Sequence, residues 1–274
     1  MVQYEEAMIF SSQEADYRSP DGSTFSVDLE DPILVPKGAQ HVTIEQQQSS
    51  VWWSVINIKT GVNDTFRILI STTTDDPVTG EIISVDAVNT YDLVVPEGIY
   101  DSKSLGESLQ RVAINRGITY NFEFVDDESS EKVVISLDPK MQIDFTVGQN
   151  MAEIMGFDSA VYPSQPSHIP NYSVIAPNDA KFNEIDYFLI HCDLLHNGIA
   201  FNGKSTQILN KVPIDAGPFE QVINRPFNPI KLPCNHLVGA RRNSVRLWLT
   251  DQKNRLIDTN DENWSVTVVL RYEM

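Results

Sequence analysis

Residues 89–117 read NTYDLVVPEGIYDSKSLGESLQRVAINRG, and residues 244–272 read SVRLWLTDQKNRLIDTNDENWSVTVVLRY. The first stretch is a strand, a turn and a short amphipathic helix in one small unit. Ser104 and Glu107 have the spacing of a capping box, in which each side chain satisfies a free amide at the helix start. Leu105, Leu109, Val112 and Ala113 fall on one helical face, and Gly117 follows as the C-terminal cap. The second stretch is two strands joined by a long acidic loop. Neither carries an obvious catalytic group, and together they point to a β protein that holds shape and makes contacts.

Strand periodicity extends to both sides. Phe25, Val27 and Leu29 alternate with Ser26, Asp28 and Glu30, and Val42 and Ile44 alternate with Thr43 and Glu45. Residues 51–58, VWWSVINI, have the aromatic and β-branched composition of a strand. Around the helix, short strand patterns include Tyr120, Phe122 and Phe124 at alternate positions. Met151, Ile154 and Met155 suggest a helical turn stopped by Gly156. Pro163, Pro166, Pro170 and Pro177 mark a connection. Strand patterning then resumes to the end of the chain, with Asn202-Gly203 as a hairpin turn.

About three or four strands precede the helix-bearing region and about six follow it. Neither set makes a comfortable sandwich, and their sum approaches the roughly eight strands of a jelly roll. The expected fold is therefore mainly β: a single jelly-roll β-sandwich from 24–60 plus 182–274. An α+β module at 62–158 is inserted in it, and 159–181 forms a Pro-rich connection. The alternative division, near Ala160, makes two small jelly rolls in tandem. Residues 1–23 are polar and acidic and close on the turn Ser19-Pro20-Asp21-Gly22. They read as an N-terminal arm that orders only against a neighbour or does not order at all.

With 20 Lys and Arg against 38 Asp and Glu, the net charge is −18 over 274 residues. Such a surface repels phosphate backbones, which argues against direct nucleic-acid binding. Hydrophobic residues at 41% allow a substantial core. No apolar run is long enough to cross a bilayer, and the first residues lack the basic and apolar regions of a signal peptide. Two cysteines, Cys192 and Cys234, are too few for a disulfide scaffold.

Chemistry-bearing residues are sparse. His191-Cys192-Asp193 with His196 has nucleophilic residue types, but on a strand His191 and Cys192 point to opposite faces. Asp258, Asn260 and Glu262 resemble a calcium loop in chemistry and are weak metal candidates. They lack the glycine and terminal ligand spacing of an EF-hand, so a solvated acidic turn is the plainer reading. No cofactor and no catalytic residue is expected, and the chain does not read as an enzyme. From Arg67 to Lys103 every charged residue between is acidic. Arg241, Arg242, Trp248 and Trp264 are the interface candidates.

The order of several short motifs resembles a known group. Leu93-Val94-Val95-Pro96-Glu97-Gly98-Ile99-Tyr100 ahead of Ser104-Leu105 forms a strand, Pro-x-Gly-x-Tyr, helix unit. Phe122-Glu123-Phe124, Ile154-Met155-Gly156-Phe157, Ile190-His191-Cys192-Asp193-Leu194, Val212-Pro213-Ile214 and Trp264-Ser265-Val266 continue it. Over residues 60–274 this looks like the minor capsid proteins, penton-like or vertex, of Polinton-like viruses, virophages and related tailless icosahedral viruses. The resemblance implies a virion protein, made in the host cytoplasm. Its copies would form homopentamers at icosahedral vertices beside a double jelly-roll major capsid protein, near an internal membrane but without spanning it. The inserted module would face outward, placed to meet a fibre or host receptor. No catalytic residues transfer with it. Two other readings compete: a minimal double jelly-roll major capsid protein forming trimers, and a carbohydrate-binding β-sandwich module.

Overall fold

The computed structural model describes residues 2–127, 130, 132–182 and 185–274. In chain order its elements begin β1 (Gln3–Ser11), β2 (Tyr17–Arg18), β3 (Thr24–Leu34), β4 (Gln40–Trp52), β5 (Thr65–Asp75) and β6 (Ile82–Val94). Helix α1 (Ser102–Asn115) leads to β7 (Phe122–Asp127), β8 (Lys132–Leu137) and β9 (Met141–Asp144). A helical turn, α2 (Ala152–Met155), precedes β10 (Val161–Tyr162) and β11 (Tyr172–Ile175). The chain closes with β12 (Tyr187–Cys192), β13 (Ile199–Phe201), β14 (Lys204–Pro213), β15 (Gln221–Asn224), β16 (Leu232–Pro233), β17 (Arg241–Thr250) and β18 (Ser265–Glu273). The fold is mainly β.

Two compact units divide this chain: Met1–Val55 with Ile185–Met274, and Ile56–Glu184 between them in sequence. In the first, one sheet runs β1-β18-β4-β15, with β16 also on β4, and the other runs β13-β14-β12-β17-β3-β2. The pairing is that of a long hairpin rolled up. The first major strand pairs with the last, β1 with β18. The second pairs with the second-last, β3 with β17. The third pairs with the third-last, β4 with β15, and β12 with β14 forms the middle. That is the jelly roll, with both ends of the chain in each sheet. The tandem division near Ala160 is thereby overturned, since early and late strands share sheets.

Alternation places the core between these sheets. Val245, Leu247 and Leu249 of β17 are buried while Arg246 between them is exposed. They share one cluster with Phe25, Ile44, Phe188, Ile190 and Val268.

The expected arm is corrected. Gln3 to Ser11 pairs residue for residue with Glu273 back to Ser265. Arg271 on β18 bonds Glu5 of β1 at 2.7 Å and also pairs with the buried Glu45 of β4, tying three strands through one guanidinium. The strand escaped notice because it is a sheet edge. From Gln3 to Ala7 every side chain is exposed, so no apolar alternation survives, and Phe10 alone turns fully into the core.

The second unit holds the sheets β10-β9-β5-β6 and β11-β8-β7 together with α1. The segment 159–181, expected as a connection, supplies two of these strands: β10 on β9 and β11 on β8. Its prolines shorten the strands without abolishing them. Leu105, Leu109 and Ala113 of α1 pack into a cluster with Phe66, Phe122, Phe124, Ile135 and Phe145. The capping box is shifted by one turn from its expected place. Asp101 is the cap, accepting from Ser104 N–H at 2.7 Å, and Ser104 Oγ accepts from Asp101 N–H at 3.0 Å. Gly106 lies against β7, where an added Cβ would sit 2.3 Å from the Phe124 ring.

Candidate functional site

The cluster with nucleophilic residue types is structural. His191 is buried on β12, its Nε2 2.8 Å from Thr250 Oγ1 and its ring stacked on Trp248 with centroids 4.9 Å apart. Burial pulls its pKa down to about 4, so the imidazole is neutral. Cys192 belongs to the core cluster and faces the other way. Desolvation raises its thiol well above the usual range and pushes Cys234 up to about 12. Neither supplies a thiolate at neutral pH. Burial also raises Asp193, although its carboxylate accepts Arg246 N–H at 3.0 Å. His196 stacks on His236 with centroids 3.7 Å apart, away from the pair on β12.

The acidic loop is a turn. Asp258 Oδ1 accepts Asn260 N–H, and Asn260 and Asp261 adopt left-handed backbone angles. Arg18 bridges this turn to β2, bonding Asp261 at 3.3 Å and the Glu262 carbonyl at 2.7 Å. Among the described residues no three His, Cys, Asp or Glu side chains group closely enough to hold a metal.

The interface candidates separate. Trp264 is corrected to a core residue, 2% exposed. Its Nε1–H donates to Gly22 O at 3.0 Å, and its ring meets Phe25 edge-on with centroids 4.6 Å apart. A large ring with its one polar atom satisfied is placed most favourably inside. Trp248 is half-buried between His191 and the Arg246 guanidinium. Arg241 is exposed and bonds Asn243 at 3.0 Å, while Arg242 is half-buried with its Nε lacking a hydrogen-bond partner among the described residues.

Some exposed apolar groups stand at the two outer edges of one jelly-roll sheet. At the β1 edge, Ile9 is 74% exposed. At the β15 edge, Ile223 is 49% exposed, and in the loop that follows Phe227 is 97% exposed. Trp52 and Phe219 border the same edge, which two backbone bonds between residues 53 and 219–220 hold in place. Sequence reasoning missed Phe227, yet it stands between Pro226 and Pro229, which keep it out of any ladder. The two edges also differ in charge. Glu6 is exposed at β1 with no side-chain partner among the described residues, whereas Arg225 follows β15 and bonds Gln48.

No family model matches this chain, and no curated protein matches it. Among solved structures it is similar to the selenomethionine-labelled mavirus penton protein, at 13% identity, covering 99% of each chain, with a TM-score of 0.44.

Proposed function

We propose that this chain is a structural subunit of a viral shell, a penton-like protein whose copies close into a homopentamer beside a major capsid protein. The supporting observation is a jelly-roll sheet with two free, chemically different edges, β1 and β15, each carrying uncovered apolar side chains. Unlike edges favour heterologous contacts, which close into a ring when the rotation per subunit allows. Exposed Ile9, Ile223 and Phe227 supply the apolar contact, and Glu6 opposite Arg225 supplies orientation. Five copies at −18 each repel one another, so the ring strengthens as salt rises.

Light scattering tests the assembly. The expected species is a pentamer, and Ile223→Asp with Phe227→Asp reduces it to a monomer with unchanged circular dichroism. A wild type that stays monomeric at every concentration and salt rejects the proposal, and a stable trimer fits a major capsid protein instead.

We also propose that Ile56–Glu184 is an independent insert serving contacts with a fibre or receptor. The two hydrophobic clusters share no residue. Replacing the insert by a Gly/Ser linker leaves a β remainder that unfolds cooperatively in urea. A remainder with no cooperative transition sinks this division.

A further inference from the structure

The second unit has four free strand edges, and they are treated differently: β10 is only two residues long. β6 is 13 residues long, but its register against β5 skips at two places. Asp86 and Ile83 are left without ladder partners, forming bulges that spoil an edge for further pairing. β11 is four residues long and flanked by Pro170 and Pro177. β7 has neither protection. It pairs without a break from Phe122 opposite Leu137 to Asp127 opposite Lys132, and no described strand lies on its other side.

Along that open edge runs a groove of about 810 Å³, walled by β7 and by α1. Lys103, Glu107, Gln110 and Ile114 line it at helical spacing, as one stripe of the helix. Phe122 N–H points into the groove, toward Gln110 Oε1 at 3.5 Å. In an antiparallel ladder alternate residues direct both backbone groups to the same side. The N–H and C=O of Phe124 therefore face the groove as well. Helix α1 leaves one large apolar side chain uncovered, Ile114 at 62% exposure, and it lies on this stripe.

We propose that this groove binds an extended cationic segment of another polypeptide, which adds to β7 as a fourth strand. The backbone of β7 supplies a ladder, Ile114 supplies an apolar contact, and α1 closes the far wall. Charge selects the occupant. Glu107 on the helix and Glu123 on the strand are exposed on opposite walls, and among the described residues neither side chain has an ion pair or hydrogen bond. Of the two cations lining the groove, Arg111 is engaged by Ser108 Oγ at 3.2 Å, and Lys103 stands at the start of the helix. A basic side chain of the incoming strand meets Glu107 on the helix side of the sheet or Glu123 on its other face. A second copy of this chain, at −18, is repelled. The proposal does not depend on the chain being a capsid subunit.

The probe is a blocked peptide of about seven residues, alternating valine and threonine with a central lysine. At about 1 mM it is expected to slow amide hydrogen exchange at Phe122 and Phe124 in the full chain about tenfold. N-methylation of the peptide's ladder-facing amides abolishes that protection. Glu107→Lys with Glu123→Lys weakens binding about tenfold and favours a peptide with central glutamate. Absence of protection on β7 overturns the site, and protection that survives N-methylation overturns strand addition. Undiminished binding of the lysine peptide to the double variant overturns the cationic occupant.

Discussion

Trp264→Ala is expected to lower the unfolding free energy of the jelly-roll unit by about 3–5 kcal/mol. The indole is 2% exposed, meets Phe25, and donates from Nε1 to the Gly22 carbonyl. Truncation removes the apolar contact and leaves that buried carbonyl without its donor. Trp264 N–H also donates to Ser12 Oγ at 3.0 Å, so the residue anchors the end of β1 to the start of β18. A domain stable by about 5–15 kcal/mol would lose a large part of its margin. Urea titration followed by circular dichroism measures the shift. Trp264→Phe, which keeps a ring beside Phe25, should lose less than half as much. An alanine variant within about 1 kcal/mol of wild type would mean that the indole is not a core element.

The second large effect is acid sensitivity from His191. Burial lowers its folded pKa to about 4 from the ordinary imidazole value of 6.5. The unfolded chain therefore binds the proton more readily between those values. Neutral His191 contributes its full share of stability above about pH 6.5, and that share is lost as the pH falls toward 4. The expected loss is about 3 kcal/mol. Carboxylates held low in the fold lose stability over a lower and partly overlapping range. Asp75 is held low chiefly by its hydrogen bond from Lys140, and Asp92 by that from Arg67. The comparison is therefore with His191→Phe, which retains a ring over Trp248 and cannot titrate. Wild type should lose about 3 kcal/mol more than this variant between pH 6.5 and 4, read from urea midpoints at each pH. Parallel curves would remove His191 as the cause.

Legibility in the sequence followed burial. The β17 pattern at Val245, Leu247 and Leu249 and the α1 face at Leu105, Leu109 and Ala113 were readable because each element buries one side completely. Edge strand β1 was not, because exposure on both faces erases the period of two. The helix cap moved from Ser104 and Glu107 to Asp101 and Ser104, since either pair of residue types can satisfy the free amides. Trp264 was misplaced because a tryptophan at the start of a strand suits a core or an interface equally. The edge patch with Phe227 was overlooked because exposure belongs to the assembled sheet, although the flanking prolines hinted at it.

By itself the sequence determined local features: which buried strands alternate, which face of the helix is apolar and where it ends, and that the chain carries a large net negative charge. These depend on backbone sterics and on spacing between near neighbours. Only the tertiary structure decided that Gln3 lies opposite Glu273 and that β7 keeps a free edge beside α1. Strand pairing joins backbone groups that are alike at every residue, so partners hundreds of positions apart are chosen by how both sheets close over a shared core.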